Sequence, residues 1–210
     1  MSERYALVSV ADKTGLVELG RGLVALGWTL VASGGTGRVL EEAAVPYLPV
    51  DQLTGTPEAF DGRMKTISFE LEGGILFDRD NPAHVALAER LGLMAIDLVA
   101  CNFAPVLGGG EPPPTTLEGV MARLDVGGPT MVRAAARNFL SVLVLTRPAQ
   151  YATVLDELRR GEVSMETRRR LAVEAFDLLV EADQQVTRRL HEVWRRGDSP
   201  PRQGSRSGAG

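Results

Sequence analysis

Lysine is nearly missing from this chain: of 23 basic residues only Lys13 and Lys65 are lysine, and the rest are arginine. Cysteine is scarcer still, and Cys101, standing alone, excludes an internal disulfide. Histidine is limited to His84 and His191, and no His/Cys/carboxylate group has metal-ligand spacing. No apolar run is long enough to cross a bilayer, so no membrane partner is expected. The opening MSERYALVSV lacks the layout of a signal peptide, and a reducing cytoplasm is the expected location. Positive charge is not in excess either: the net charge is −4, which gives no ground for nucleic-acid binding. A Walker loop and a complete G-x-G-x-x-G element are absent, so neither ATP nor NAD is implied and no cofactor is expected.

What remains is an ordinary globular composition, 44% hydrophobic and 24% charged over 210 residues. That length supports one well-buried core and is short for two typical domains. In a chain so poor in lysine, the two that survive are candidates for roles that need an amine.

Strand-like and helix-like segments alternate. Tyr5–Val10 reads as a strand, and Thr14–Leu26 carries Leu16, Val17, Leu19, Leu23, Val24 and Leu26 at helical spacing. Trp28–Ala32 and Tyr47–Val50 are further strands, with a helix over Thr36–Ala44 between them. Asp51–Phe77 has no clear period. Pro82–Leu91 is a helix, Ile96–Cys101 a buried strand and Gly108–Pro114 a linker. Thr115 with Glu118 has the capping-box pattern for a helix to about Leu124. Thr130–Arg137 is helical, Leu140–Thr146 a strand, Ala149–Arg160 a helix and Met165–Trp194 a long final helix. A single domain over 1–194 is expected, followed by a disordered Gly/Ser/Pro/Arg-rich tail over 195–210. The alternation predicts an α/β fold of three layers with a mainly parallel central sheet and a long C-terminal helix. Ligands of such sheets bind beyond the carboxyl ends of the strands.

Four segments fall on those turns. Ser9–Gly15 joins the first strand to the first helix, where free amides and the helix dipole favour an anion and Lys13 adds a charge. Asp12 or Thr14 as a plain helix cap explains the same residues. Ser33-Gly34-Gly35-Thr36 is a second such turn, whose paired glycines let a phosphate approach the amides. Gly62-Arg63-Met64-Lys65-Thr66 sets two cations and a hydroxyl together, against the plain reading of solvated surface charge. Asp125-Val126-Gly127-Gly128-Pro129 leads into a helix that carries Arg133 and Arg137 on one face. Asp125 there is a candidate general base or a helix cap. Cys101 reads as a buried small hydrophobe.

Taken together, SVADKTG, ASGGTGRVL, DGRMKT with EGGIL, RDNPAH, DLVACN and DVGGPTMVRAAARN resemble the IMP cyclohydrolase domain of purine biosynthesis, in family order over Ala6 to Tyr151. The resemblance implies a methylglyoxal-synthase-like fold, a homodimer and a stand-alone cyclohydrolase, with the formyltransferase half supplied, if at all, by a separate partner. The implied reaction closes 5-formamidoimidazole-4-carboxamide ribotide to IMP and water without metal or redox cofactor. By matching positions, Asp12, Lys13, Ser33, Gly34, Gly35, Thr36, Arg63, Met64, Lys65 and Thr66 would hold the ribotide, mostly through its phosphate. Asn102, Asp125 and Val126 would face the base, Cys101 and Gly127 would also bind the substrate, and Lys65, Asp125 and Arg137 would serve the chemistry.

The chain departs from the family's usual pattern at Ala11, at Ser68-Phe69, at Glu72 where the family has histidine, at Ala104 where it has tyrosine, and at Arg137 where it has lysine. Arginine stabilises an oxyanion but does not readily exchange a proton. A non-catalytic nucleotide-binding module is therefore the rival expectation. A methylglyoxal-synthase-like lyase is disfavoured by DGRMKT and DVGGPTMVRAAARN.

Overall fold

The structure, a computed structural model, describes residues 3–57, 59–60, 65–103 and 112–197. Strands β1 (Arg4–Val10), β2 (Trp28–Ala32), β3 (Leu48–Pro49), β4 (Ile96–Asn102) and β5 (Leu143–Leu145) form one sheet in the order β3-β2-β1-β4-β5. Every pairing in it is parallel. Val31, Leu7, Val99 and Val144 stand in one row across four strands, each at most 1% exposed. Strands covered on both faces need apolar residues on both, which is why these segments read as continuous apolar runs.

The helices are α1 (Leu16–Ala25), α2 (Gly34–Glu42), α3 (Val50–Thr54), α4 (Phe69–Leu76) and α5 (Pro82–Arg90). They continue with α6 (Leu117–Ala122), α7 (Gly127–Arg137), α8 (Tyr151–Arg159) and α9 (Met165–Gly197). From β1 the chain moves outward through α1 to β2 and through α2 to β3, then crosses back to β4 and on through α7 to β5. Crossovers of one hand that travel in opposite directions put their helices on opposite faces. Accordingly α1 packs with α2 and α8, while α4 packs with α7. The reversal of direction lies between β1 and β4.

Two compact units are distinguished: Met1–Ala104 with Asp125–Val180, and Pro105–Leu124 with Glu181–Gly210. The first holds the sheet and the main core. In the second, Val120 and Val193 are buried against Val186 and Leu190, and buried Arg189 donates to the Pro114 carbonyl from Nε and Nη2 at 2.9 and 2.5 Å. Among the described residues no helix is long and apolar enough to cross a membrane, and no group of three His, Cys, Asp or Glu could hold a metal ion.

The structure departs from the sequence expectations locally. The segment Asp51–Phe77 contains α4, which starts where the Ser68 hydroxyl accepts from the Leu71 amide at 3.2 Å, with Leu71 and Ile75 buried. Val50, expected in a strand, begins α3. Thr116 rather than Thr115 caps α6, accepting from Gly119 N at 3.0 Å. Helix α2 begins at Gly34, two residues before Thr36, and α9 continues through Arg195 to Gly197. The remaining tail and residues 108–111 of the expected linker lie outside the described residues.

Candidate functional site

The crevice of an open parallel sheet lies beyond its carboxyl edge, where the chain reverses direction. Here that point is the end of β1 beside β4, and Asn102 closes it. Its Oδ1 accepts from Ala11 N at 2.7 Å and from Asp12 N at 2.8 Å. These bonds hold the β1–α1 turn in one conformation while using the acceptor face of the Asn102 amide. Asp12 accepts from Thr14 N at 2.9 Å. The Thr14 hydrogen bonds, side chain and then backbone, hold the Asp12 carboxyl below its usual range. Asp12 thus braces the turn ahead of α1, whose N-cap is Gly15 without a side-chain capping bond, so neither Asp12 nor Thr14 caps the helix.

The first two strand-to-helix turns are tied by Thr36. Its buried hydroxyl donates to Val10 O at 3.2 Å and accepts from Val10 N at 3.1 Å and from Lys13 Nζ at 3.0 Å. Lys13 Nζ donates to Val10 O as well. Burial pushes the Lys13 ammonium below its ordinary pKa, so an incoming anion would restore a stabilising charge there. Ser33 occupies the N-cap of α2 in extended backbone, without a capping bond from its side chain, and Gly34 follows with φ +51°. That conformation is one that L side chains rarely adopt.

Lys65 and Thr66 bridge two helix starts. A β-carbon at Gly34 would stand 2.7 Å from Lys65 Nζ, and one at Gly127 would stand 2.5 Å from Thr66 Oγ1. Two consecutive residues thus reach the N-termini of α2 and α7, each the positive end of a helix dipole. At α7, Asp125 Oδ1 accepts from Gly128 N at 3.0 Å, and the exposed Val126 is the N-cap. Cys101 Sγ lies 3.7 Å from Gly128 O. Burial, and secondarily the Asp125 charge, push its thiol above the ordinary range, which suits a protonated core residue rather than a nucleophile.

Arg137 is not brought to this group. It is exposed in the last turn of α7, and ten residues at 1.5 Å each put it about 15 Å along the axis from Gly127. Arg63, Met64 and Ala104 lie outside the described residues.

Sequence reasoning missed residues in the segment without a period. A cavity of about 180 Å³ is lined by Ser33, Gly34, Tyr47, Asp51, Thr56 and Lys65, among others. A neighbouring cavity of about 270 Å³ shares Thr56 and Lys65 and reaches Ile67 and Ser68. Glu72, noted in the sequence only as standing where the family has histidine, has both carboxyl oxygens buried without a hydrogen-bond partner. Burial pushes that carboxyl up to about 7.

The model of the MGS-like domain matches residues 15–130, which carry the β2–α2 and Lys65–Thr66 segments and the start of α7. The chain belongs to the MGS-like domain family. The model of the AICARFT/IMPCHase bienzyme matches residues 135–207. Relatives include the bifunctional purine biosynthesis protein PurH of Chloroflexus aurantiacus, 46% identical over 85% of this chain and 35% of the relative. PurH of Lactobacillus delbrueckii subsp. bulgaricus is 41% identical over 94% of this chain and 38% of the relative. The chain thus spans little more than a third of the length of these relatives. Among solved structures, ForH superposes with a TM-score of 0.79 at 33% identity, covering 90% of this chain and 99% of that one. The family accounts for the expected α/β architecture, and the observed sheet is wholly parallel.

Proposed function

We propose that this chain is an IMP cyclohydrolase, closing 5-formamidoimidazole-4-carboxamide ribotide to IMP. The observation that carries the reading is the span of Lys65 and Thr66 between the starts of α2 and α7. The substrate is anionic at its phosphate, and an oxyanion develops on the formyl oxygen when the carboxamide nitrogen attacks. A site with two positive helix ends and a lysine between them matches both charges.

In this reading Lys13, Ser33, Gly34, Gly35 and Thr36 hold the phosphate together with Arg63 and Met64. Asn102, Val126 and Gly127 border the base. The carbon–nitrogen bond forms first, and the formyl oxygen then leaves as water with one hydrogen from each nitrogen. Asp125 keeps one oxygen on Gly128 N, leaving the other to accept a proton. Holding the two reacting groups together supplies much of the acceleration for so poor a nucleophile. The same reading has the protein act in the cytoplasm as a homodimer, on a ribotide supplied by a formyltransferase.

One observation favours a second reading, a nucleotide-binding module without turnover: Arg137, standing where the family has lysine, is exposed at the far end of α7. The test is ultraviolet absorbance on adding purified protein to the formylated ribotide, with calorimetric IMP titration alongside. Steady IMP formation supports the enzyme. IMP binding without turnover supports the module, and neither signal would overturn both.

A further inference from the structure

The third strand-to-helix turn opens on the same edge as the first two. β3 pairs with β2 in parallel, with Ala32 level with Pro49, so Ser33 and Val50 leave the sheet side by side. Asp51, the next residue, is an exposed carboxylate in the first turn of α3. Adjacent strands lie about 4.8 Å apart, which sets the Asp51 turn roughly one sugar ring away from the Gly34 turn.

Both turns contribute to the wall of a cavity of about 180 Å³, lined by Ser33, Gly34, Tyr47, Asp51, Thr56 and Lys65 among others. Its wall combines two chemistries. One offers the start of α2 and an ammonium, which suit an anion. The other offers a carboxylate, which only accepts hydrogen bonds, together with two hydroxyl side chains. A ligand that bridges them carries a phosphate at one end and hydroxyl donors a few bonds away. A carboxylate at the end of the strand beside a glycine-rich phosphate turn holds sugar hydroxyls in dinucleotide-binding sheets, for the same geometric reason.

From this we infer that Asp51, assisted by Thr56, binds the sugar hydroxyls of a ribosyl 5-phosphate whose phosphate sits on Ser33–Thr36. The inference deepens the cyclohydrolase reading and rests on its placement of the phosphate, but not on the identity of the base.

The test therefore uses ligands with and without a base. Ribose 5-phosphate, 2-deoxyribose 5-phosphate, IMP and 2′-deoxy-IMP are titrated calorimetrically into the full chain, its Asp51→Ala variant and its Thr56→Val variant. Both positions are exposed, so the variants are expected to fold, checked by unchanged Tm. Hydrogen bonds to a charged group are worth about 1.5–3 kcal/mol, so the full chain is expected to prefer each ribo ligand over its deoxy form about tenfold or more. Asp51→Ala is expected to erase that preference by weakening the ribo ligands alone, and Thr56→Val to reduce it. Equal weakening of ribo and deoxy forms, or no weakening, would overturn the inference while leaving IMP binding, and with it the cyclohydrolase reading, intact. Asp51-dependent binding of ribose 5-phosphate without IMP binding would support the inference and sink the cyclohydrolase reading. Binding of neither ribosyl phosphate would overturn the inference.

Discussion

The ammonium of Lys65 rests against the backbone of Gly34, 2.7 Å from where a β-carbon at residue 34 would stand. A glycine in the left-handed region at the start of α2 thus does two things at once. It turns the chain, and it leaves room for the lysine that approaches from 31 residues further along the sequence.

Gly34→Ala is expected to act on both. The left-handed conformation costs an L-residue about 1–2 kcal/mol, and at about 2–4 °C per kcal/mol for a chain of this size the Tm should fall by several degrees. The new methyl also displaces Lys65 Nζ, so IMP affinity should drop about tenfold or more. Gly35→Ala is the control for stability, because a β-carbon there meets no atom within 4 Å. Thermal scans of both variants check this, and an equal Tm loss in the two would refute the argument from Gly34 geometry.

Glu72 supplies a pH prediction. Its carboxyl is raised to about 7 from an ordinary 4.5 by burial, so the folded protein holds a proton that the unfolded chain has already released. Stability from this group is fully present below about 4.5, declines between there and about 7, and is lost above that. Glu72→Gln cannot ionise. Its Tm should match the wild type near pH 5 and exceed it by a few degrees at pH 8. Parallel Tm–pH curves for the two proteins would rule the argument out.

How far these positions could be read from the sequence depends on where they lie. Trp28–Ala32 was placed to the residue, because a strand covered on both faces shows an unbroken apolar run. Lys13 and Ser33–Thr36 could be grouped in advance because turns that follow parallel strands share an edge, whereas Thr66 and Gly127 joined them only through the family resemblance. Their contacts through Thr36 and Lys65 were not legible, since these join residues far apart in the chain. Asp51 and Thr56 were missed, and the burial of Glu72 was not foreseen, for a local reason: α3 spans five residues and α4 eight, too few turns to establish a period. Phe69 and Leu76, both exposed, further blur the apolar face of α4.

Arg137 is the opposite case, a role expected from its position in a motif that no described contact in this chain supports or tests. On a straight helix it stands about 15 Å from Gly127, and among the described contacts nothing links it to Lys65 or Asp125. Arg137→Ala is expected to change IMP affinity by less than about twofold and Tm by about 1 °C or less, as exposed substitutions usually do. Lys65→Ala should weaken IMP binding about tenfold or more, as loss of a charged hydrogen bond to phosphate would. Calorimetry on the pair checks both expectations, and a large loss in Arg137→Ala would mean that its guanidinium reaches the ligand.

Thr36 tests the link between the two anion turns. Valine has nearly the same shape, so Thr36→Val removes the hydroxyl and little else. Val10 N, now facing a methyl, would lose a 3.1 Å bond in a region where Thr36 is only 3% exposed. Leaving a buried donor unpaired costs about 1–3 kcal/mol, so the Tm should fall by several degrees. Lys13 Nζ would lose its 3.0 Å partner at the same time and keep Val10 O. Its ammonium, already disfavoured by burial, would then depend more on a bound anion for its charge. The variant should therefore regain more Tm than the wild type when phosphate is raised to a saturating concentration. An equal phosphate-induced shift in the two proteins would separate Thr36 from the anion site and leave it a purely structural hydroxyl.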